Sequence, residues 1–143
     1  MHLFRNGWDE TLTVLNHKDC KKFFCDHGAD PARILQTLQS TEYRFLSLPG
    51  GSDIGAQTNS PTSVFINIDG PFVTNTDGKI ALGGQAYDLH DQDNVQALIL
   101  LHELGHQLGI FGEDAGPGLR AQNAAHSLDI LKHCFPLYSF PVH

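Results

Sequence analysis

The sequence predicts an α+β fold in a single domain, 1–143: a small, mostly antiparallel sheet packed with one central helix and flanked by N- and C-terminal helices. Three observations predict it. A chain of 143 residues suits one core that buries on the order of two thirds of its unfolded surface. Apolar residues at helical spacing near both ends bracket a middle stretch of β-branched residues and turn signals. Val95, Leu98, Ile99, Leu101 and Leu104 spread over most of a helix circumference, which marks a helix buried inside the domain.

Along the chain, residues 18–40 read as two helices, with Phe23, Phe24, Ile34, Leu35 and Leu38 at helical spacing and Gly28 and Pro31 as the break. Asp30 is the expected cap of the second, with Pro31 at its first position. Residues 43–48 predict a short strand. Residues 49–62, rich in Gly, Ser, Asn and Pro, predict a long polar loop, and loops of that length are mobile or functional. Ser-Val-Phe-Ile-Asn-Ile-Asp at 63–69 predicts a strand. Residues 72–74 and 79–82 flank Asn75-Thr76-Asp77-Gly78, a hairpin signal, and 85–89 extend as an edge strand. Asp91 or Asp93 caps the central helix, which runs to about residue 110 and stops at Gly109 and Gly112. Gly116-Pro117-Gly118 is a turn, 119–133 a last amphipathic helix, and 135–143 an extended strap.

Composition narrows the partners. Hydrophobic residues are 41% of the chain, too many for a disordered one, and 9 basic against 16 acidic side chains give a net charge of -7. With no Lys/Arg stripe, nucleic acid and anionic membranes are poor partners, and no apolar run approaches the ~20 residues of a membrane span. The first eight residues lack the basic start and apolar stretch of an export signal. Three cysteines allow three free thiols, or one disulfide and an odd thiol. A bridge from Cys20 or Cys25 to Cys134 would close a loop of roughly 110 residues, worth at most about 4–5 kcal/mol in the chain-entropy model. The oddity is 9 histidines, as many as Lys and Arg together.

Two of them stand in His102-Glu103-Leu104-Gly105-His106. Residues four apart on a helix share a face, so His102 and His106 can present both imidazoles to one ion, and Glu103 beside the first can act as general base toward a metal-activated water. Two helical histidines can also simply hydrogen-bond in a core. Three polar groups amid Ala-Leu-Ile-Leu-Leu are costly without a role, which favours metal binding. His2, His17, His27, His133 and His143 have no partner at ligand spacing and read as surface residues, as does His90 before the helix cap.

The stretch 101–109 resembles the active-site helix of the zincin metallopeptidases, and most of all the metzincin pattern HExxHxxGxxH. His102, Glu103, His106 and Gly109 match it one for one. The third-histidine position holds Gly112, and the only methionine is Met1, so the metzincin methionine turn has no counterpart. The resemblance covers about 13 of the 143 residues. The chain is also similar to small predicted-secreted bacterial proteins that share the HELGH helix, a following Asp and a C-terminal helix ending in Cys.

The resemblance implies Zn2+ as cofactor, with three protein ligands and an open position. Asp114 is the first-ranked third ligand, because some metzincin-like enzymes use Asp there and Gly112 gives the backbone freedom to shift it. His126 follows, at 126 − 106 = 20 positions past the second histidine, where the related gluzincins place a ligand on a later helix; Glu113 is third. Asn123 and Asp129 share a helix face with His126 and read as its partners or as polar surface. The implied function is a zinc-dependent metallopeptidase acting on a peptide or protein, with Glu103 as catalytic general base and residues 83–89 as a strand that pairs with extended substrate. The alternative is a non-catalytic zinc-binding module holding a closed ion on His102, His106, Asp114 and His126. The likeness to predicted-secreted proteins implies a secreted or periplasmic location.

Overall fold

The structure is a computed structural model that describes residues 2–48, 55–112 and 120–142. Its elements are α1 (His2–Leu15), α2 (Lys18–Asp26), α3 (Pro31–Ser40), β1 (Glu42–Leu46), β2 (Ala56–Ser60), β3 (Ser63–Asn67), α4 (Pro71–Thr74), β4 (Lys79–Leu82), β5 (Gln85–Asp88), α5 (Gln92–Gln107) and α6 (Arg120–Cys134), followed by a single 3-10 turn, Pro136–Tyr138. The α+β class is as the sequence predicts.

Several elements follow from local chemistry. Asp30 caps α3 by accepting from the Arg33 N–H at 2.8 Å, with Pro31 opening the helix. Asp91 does the same for α5, accepting from the Asn94 N–H at 2.9 Å. α5 ends in a Schellman turn: Gly109 N–H reaches His106 O (3.1 Å), Ile110 N–H reaches Gly105 O (2.9 Å), and Gly109 takes the required positive φ of 76°.

Three expectations are corrected. Residues 71–74 form the short helix α4 rather than a strand, since Pro71 starts a helical turn behind Gly70. The hairpin therefore joins β4 to β5 through Gly83 and Gly84, both at positive φ, which suits the two-residue turn that a right-handed hairpin twist favours. Within the expected loop, residues 56–60 form β2, and 49–54 lie outside the described residues.

The first sheet has the order β1-β3-β2, with β1 parallel and β2 antiparallel to β3; β4 and β5 make a separate antiparallel pair. Two of the three pairings are thus antiparallel. β2 is an edge strand, and its polar sequence Ala-Gln-Thr-Asn-Ser becomes a strand only because β3 offers a ladder.

α5 divides two apolar clusters. Leu98, Leu101, Leu104 and Leu108 pack with α1, α2, α3 and α6, while Leu100 packs against Val64, Ile66 and Phe72 beneath the sheet. No element is expected before residue 18, yet α1 is a main wall of the core. It crosses α5 closely because position 7 is glycine: a Cβ there would meet Gln96 Oε1 at 2.1 Å. A disulfide joins Cys20 of α2 to Cys134 at the end of α6, resolving the alternatives left by the cysteine count; Cys25 is free. The tail straps back across β5, with Val142 N–H donating to Ala86 O at 2.7 Å.

Candidate metal centre

His102 and Glu103 lie near the C-terminal end of α5, each only 5% exposed. One turn on, His106 is half-buried, and the Nε2 atoms of the two histidines are 3.1 Å apart. α6 brings in His126, also half-buried, so that ligand nitrogens of His102, His106 and His126 all lie within 4.8 Å of one another. The ring centroids are 5.0 Å apart for His102 and His106, 5.9 Å for His102 and His126, and 5.6 Å for His106 and His126.

α6 supplies a second group. Ser127 Oγ lies 2.8 Å from His102 Nδ1. When Nδ1–H donates to that hydroxyl, Nε2 carries the lone pair and points it toward His106 and His126, which is the tautomer a metal ligand needs. Consecutive residues on one helix thus serve the centre in two ways, because a 100° step places His126 and Ser127 on either side of the seam with α5.

Glu103 is held from the opposite side. The Thr58 hydroxyl on β2 donates to Glu103 Oε1 at 3.0 Å, and Oε2 lies 3.9 Å from His102 Nε2. The carboxylate is therefore fixed beside the ligand nitrogens. A cleft of about 570 Å³ opens from this point, floored by Leu98 and Ile99 of α5 and walled by β4, the Gly83 and Gly84 turn and the start of α6. His102, Glu103 and Ser127 all line it. Gly55 and Ala56, from the expected polar loop, form part of the opposite wall.

A set of three imidazoles fits a borderline divalent ion such as zinc and is a poor match for magnesium or calcium, which take oxygen ligands. Of the candidates for the third ligand, the described residues contain His126, and it joins the cluster. Asp114 and Glu113, with the 116–118 turn, lie outside the described residues. Asp129 is exposed and is not among the clustered ligand groups, which are those of His102, His106 and His126. His17, His27, His90 and His133 are exposed, as expected for surface residues.

The sequence carries no motif that points to Thr58, Ser127 or Phe111. Ser127 neighbours a ligand candidate, which is a signal of sorts. Thr58 had none, being a lone threonine in a polar stretch whose strand character depends on β3. No protein-family model, curated protein or solved structure matches the chain.

Proposed function

We propose that the protein is a zinc-dependent metallopeptidase of zincin type, with His102, His106 and His126 as ligands and Glu103 as general base. The observation that carries this reading is the meeting of three imidazoles with a buried, hydrogen-bonded carboxylate, of which His102 and Glu103 line a cleft. A zinc ion bound by these imidazoles supplies Lewis acidity toward water and toward a carbonyl oxygen. The chain's own residues do the rest. Glu103 accepts a proton from the attacking water at a carboxylate oxygen and returns it to the leaving amine. Thr58 holds Oε1, which leaves Oε2 toward the histidines for that exchange. Ser127 keeps His102 Nε2 aimed inward.

The cleft supports one placement of substrate. An extended peptide laid in it runs between the start of β2 and β4, whose backbone can add hydrogen bonds by strand addition. This shifts the pairing strand from the one expected at 83–89. β5 is already engaged at Ala86 by the tail, whereas β4 and the Gly83–Gly84 turn line the cleft. The walls are mainly small and apolar, with Ala81, Ala121 and Ala124 among them.

The test has two arms. Chain purified without a histidine tag should bind close to one zinc per molecule by elemental analysis, and should cleave members of a broad peptide library. Glu103→Gln should keep the zinc and lose cleavage. Zinc binding without cleavage by the wild-type chain would turn the reading to the non-catalytic module; absence of zinc binding would overturn it altogether.

A further inference from the structure

Phe111 lies against the cluster although it can ligate nothing. Its ring stacks flat on His126, with centroids 4.4 Å apart and planes inclined by 13°. It also stands 5.7 Å from each of His102 and His106, at steeper angles. Only 8% of Phe111 is exposed, and Phe23 of α2 backs it at 6.3 Å.

The ring has a purpose-shaped seat. After α5 the Schellman turn folds the chain back, and Phe111 N–H lies 3.2 Å from Gly105 O. Gly105 sits between the two histidines of the helix. A Cβ at position 105 would meet Phe111 Cε2 at 2.3 Å and Cδ2 at 2.4 Å. The space a side chain would take at position 105 is therefore filled by the Phe111 ring. The missing side chain at position 105 thus admits an aromatic ring between the two histidines of the helix.

His126 is the ring on which Phe111 stacks flat, with the closest centroid spacing of the three histidines. It comes from a half-exposed helix, and histidine χ2 is a broad, weakly preferred torsion. A flat aromatic neighbour removes most of that freedom before the metal arrives, so less ordering entropy is lost on binding. Taking the metal centre proposed above as given, we propose that Phe111, seated on Gly105, is a positioning residue that pre-orients the His126 imidazole for zinc. The turn that a metzincin-like pattern uses to deliver a ligand would here deliver a support for a ligand on another helix.

Zinc affinity, measured by competition with a chromophoric chelator, is the deciding readout, alongside the melting temperature of the metal-free chain. Phe111→Leu keeps an apolar filler but removes the flat face, and should weaken zinc binding about 10–100-fold, the usual range for a group that orients a ligand. Gly105→Ala should do the same by pushing the ring aside. Combined with Phe111→Leu, it should add under about 3-fold, because the ring it displaces is gone. A purely structural role would lower the melting temperature in all three and leave affinity within about 3-fold of wild type, and that result overturns the inference. Should these variants not fold, the wild-type chain decides by NMR. Contacts between the Phe111 and His126 rings with a single His126 rotamer in the metal-free state support it, and rotamer averaging overturns it. Wild-type chain that binds no zinc refutes the metal centre itself; wild-type binding with unperturbed variants refutes only the role of Phe111.

Discussion

The two helices that make the centre are built on opposite terms. α5 is buried on almost every side, and His102 and Glu103 share its surface with the leucines that fill both apolar clusters. α6 presents a mixed, half-exposed face, and meets the core mainly through Ile130, Leu131 and the Cys134 bridge. Residues on α5 therefore belong to the core and to the histidine cluster together, whereas His126 and Ser127 join the cluster from a half-exposed face of α6. Chemistry can be dissected cleanly on α6, and only with care on α5.

The largest expected effect tests the exception on α5. Glu103→Gln is nearly isosteric and keeps an acceptor for Thr58, so cleavage should fall by about 10³-fold while the melting temperature stays close to wild type. Next comes the tether of α6. Cys20→Ser or Cys134→Ser should cost about 2–5 kcal/mol in denaturant melts and should weaken zinc binding, because the bridge holds the helix that carries His126. Zinc binding that survived reduction unchanged would mean that α6 is positioned by packing alone.

The ligands themselves sharpen the contrast. His102→Ala and His126→Ala should both abolish tight zinc binding, but only His102→Ala should also destabilise the metal-free chain, by about 2 kcal/mol, since it empties a buried site and strips Ser127 of a partner. Equal losses of stability would break the comparison. Ser127→Ala should weaken zinc binding about 10–100-fold and cost about 1 kcal/mol of stability, less than His102→Ala, because the buried His102 Nδ1 loses its hydroxyl partner while no large side chain is removed from the core.

The smallest effect lies at the far end of α5. Partial burial, and then the nearby Asp91 and Asp93 carboxylates, raise the pKa of Glu10 above 4.5. A carboxyl whose folded pKa is raised favours the fold while protonated, and that contribution is lost as pH climbs through the folded value. Glu10→Gln should therefore stabilise the chain at about pH 7, by no more than about 0.5 kcal/mol, and have no such effect near pH 3.5. Thermal melts at the two pH values check the sign.

Much of the fold is legible because its signals are local. Asp30 with Pro31, Asp91, and Gly109 set helix ends through bonds within a few residues, so their positions follow from side-chain chemistry alone. The misread segments lack such signals or send misleading ones. Phe72 and Val73 favour a strand by type, but Pro71 and the buried seat of Phe72 against Leu100 make a helical turn. α1 carries Gly7 in its interior, a residue that weakens helices, and gains its place from close packing on Gln96.

The site divides the same way. The sequence alone determined that His102, Glu103 and His106 share one stretch of a buried helix, because periodicity of 3.6 residues and apolar neighbours require it. Only the tertiary structure decided what meets them: His126 and Ser127 from α6, Thr58 from β2, and Phe111 from the turn. Thr58 is 45 residues from Glu103 and Ser127 is 25 from His102. Contacts over such separations depend on how whole elements pack, and no local pattern encodes the packing of elements that distant in the chain.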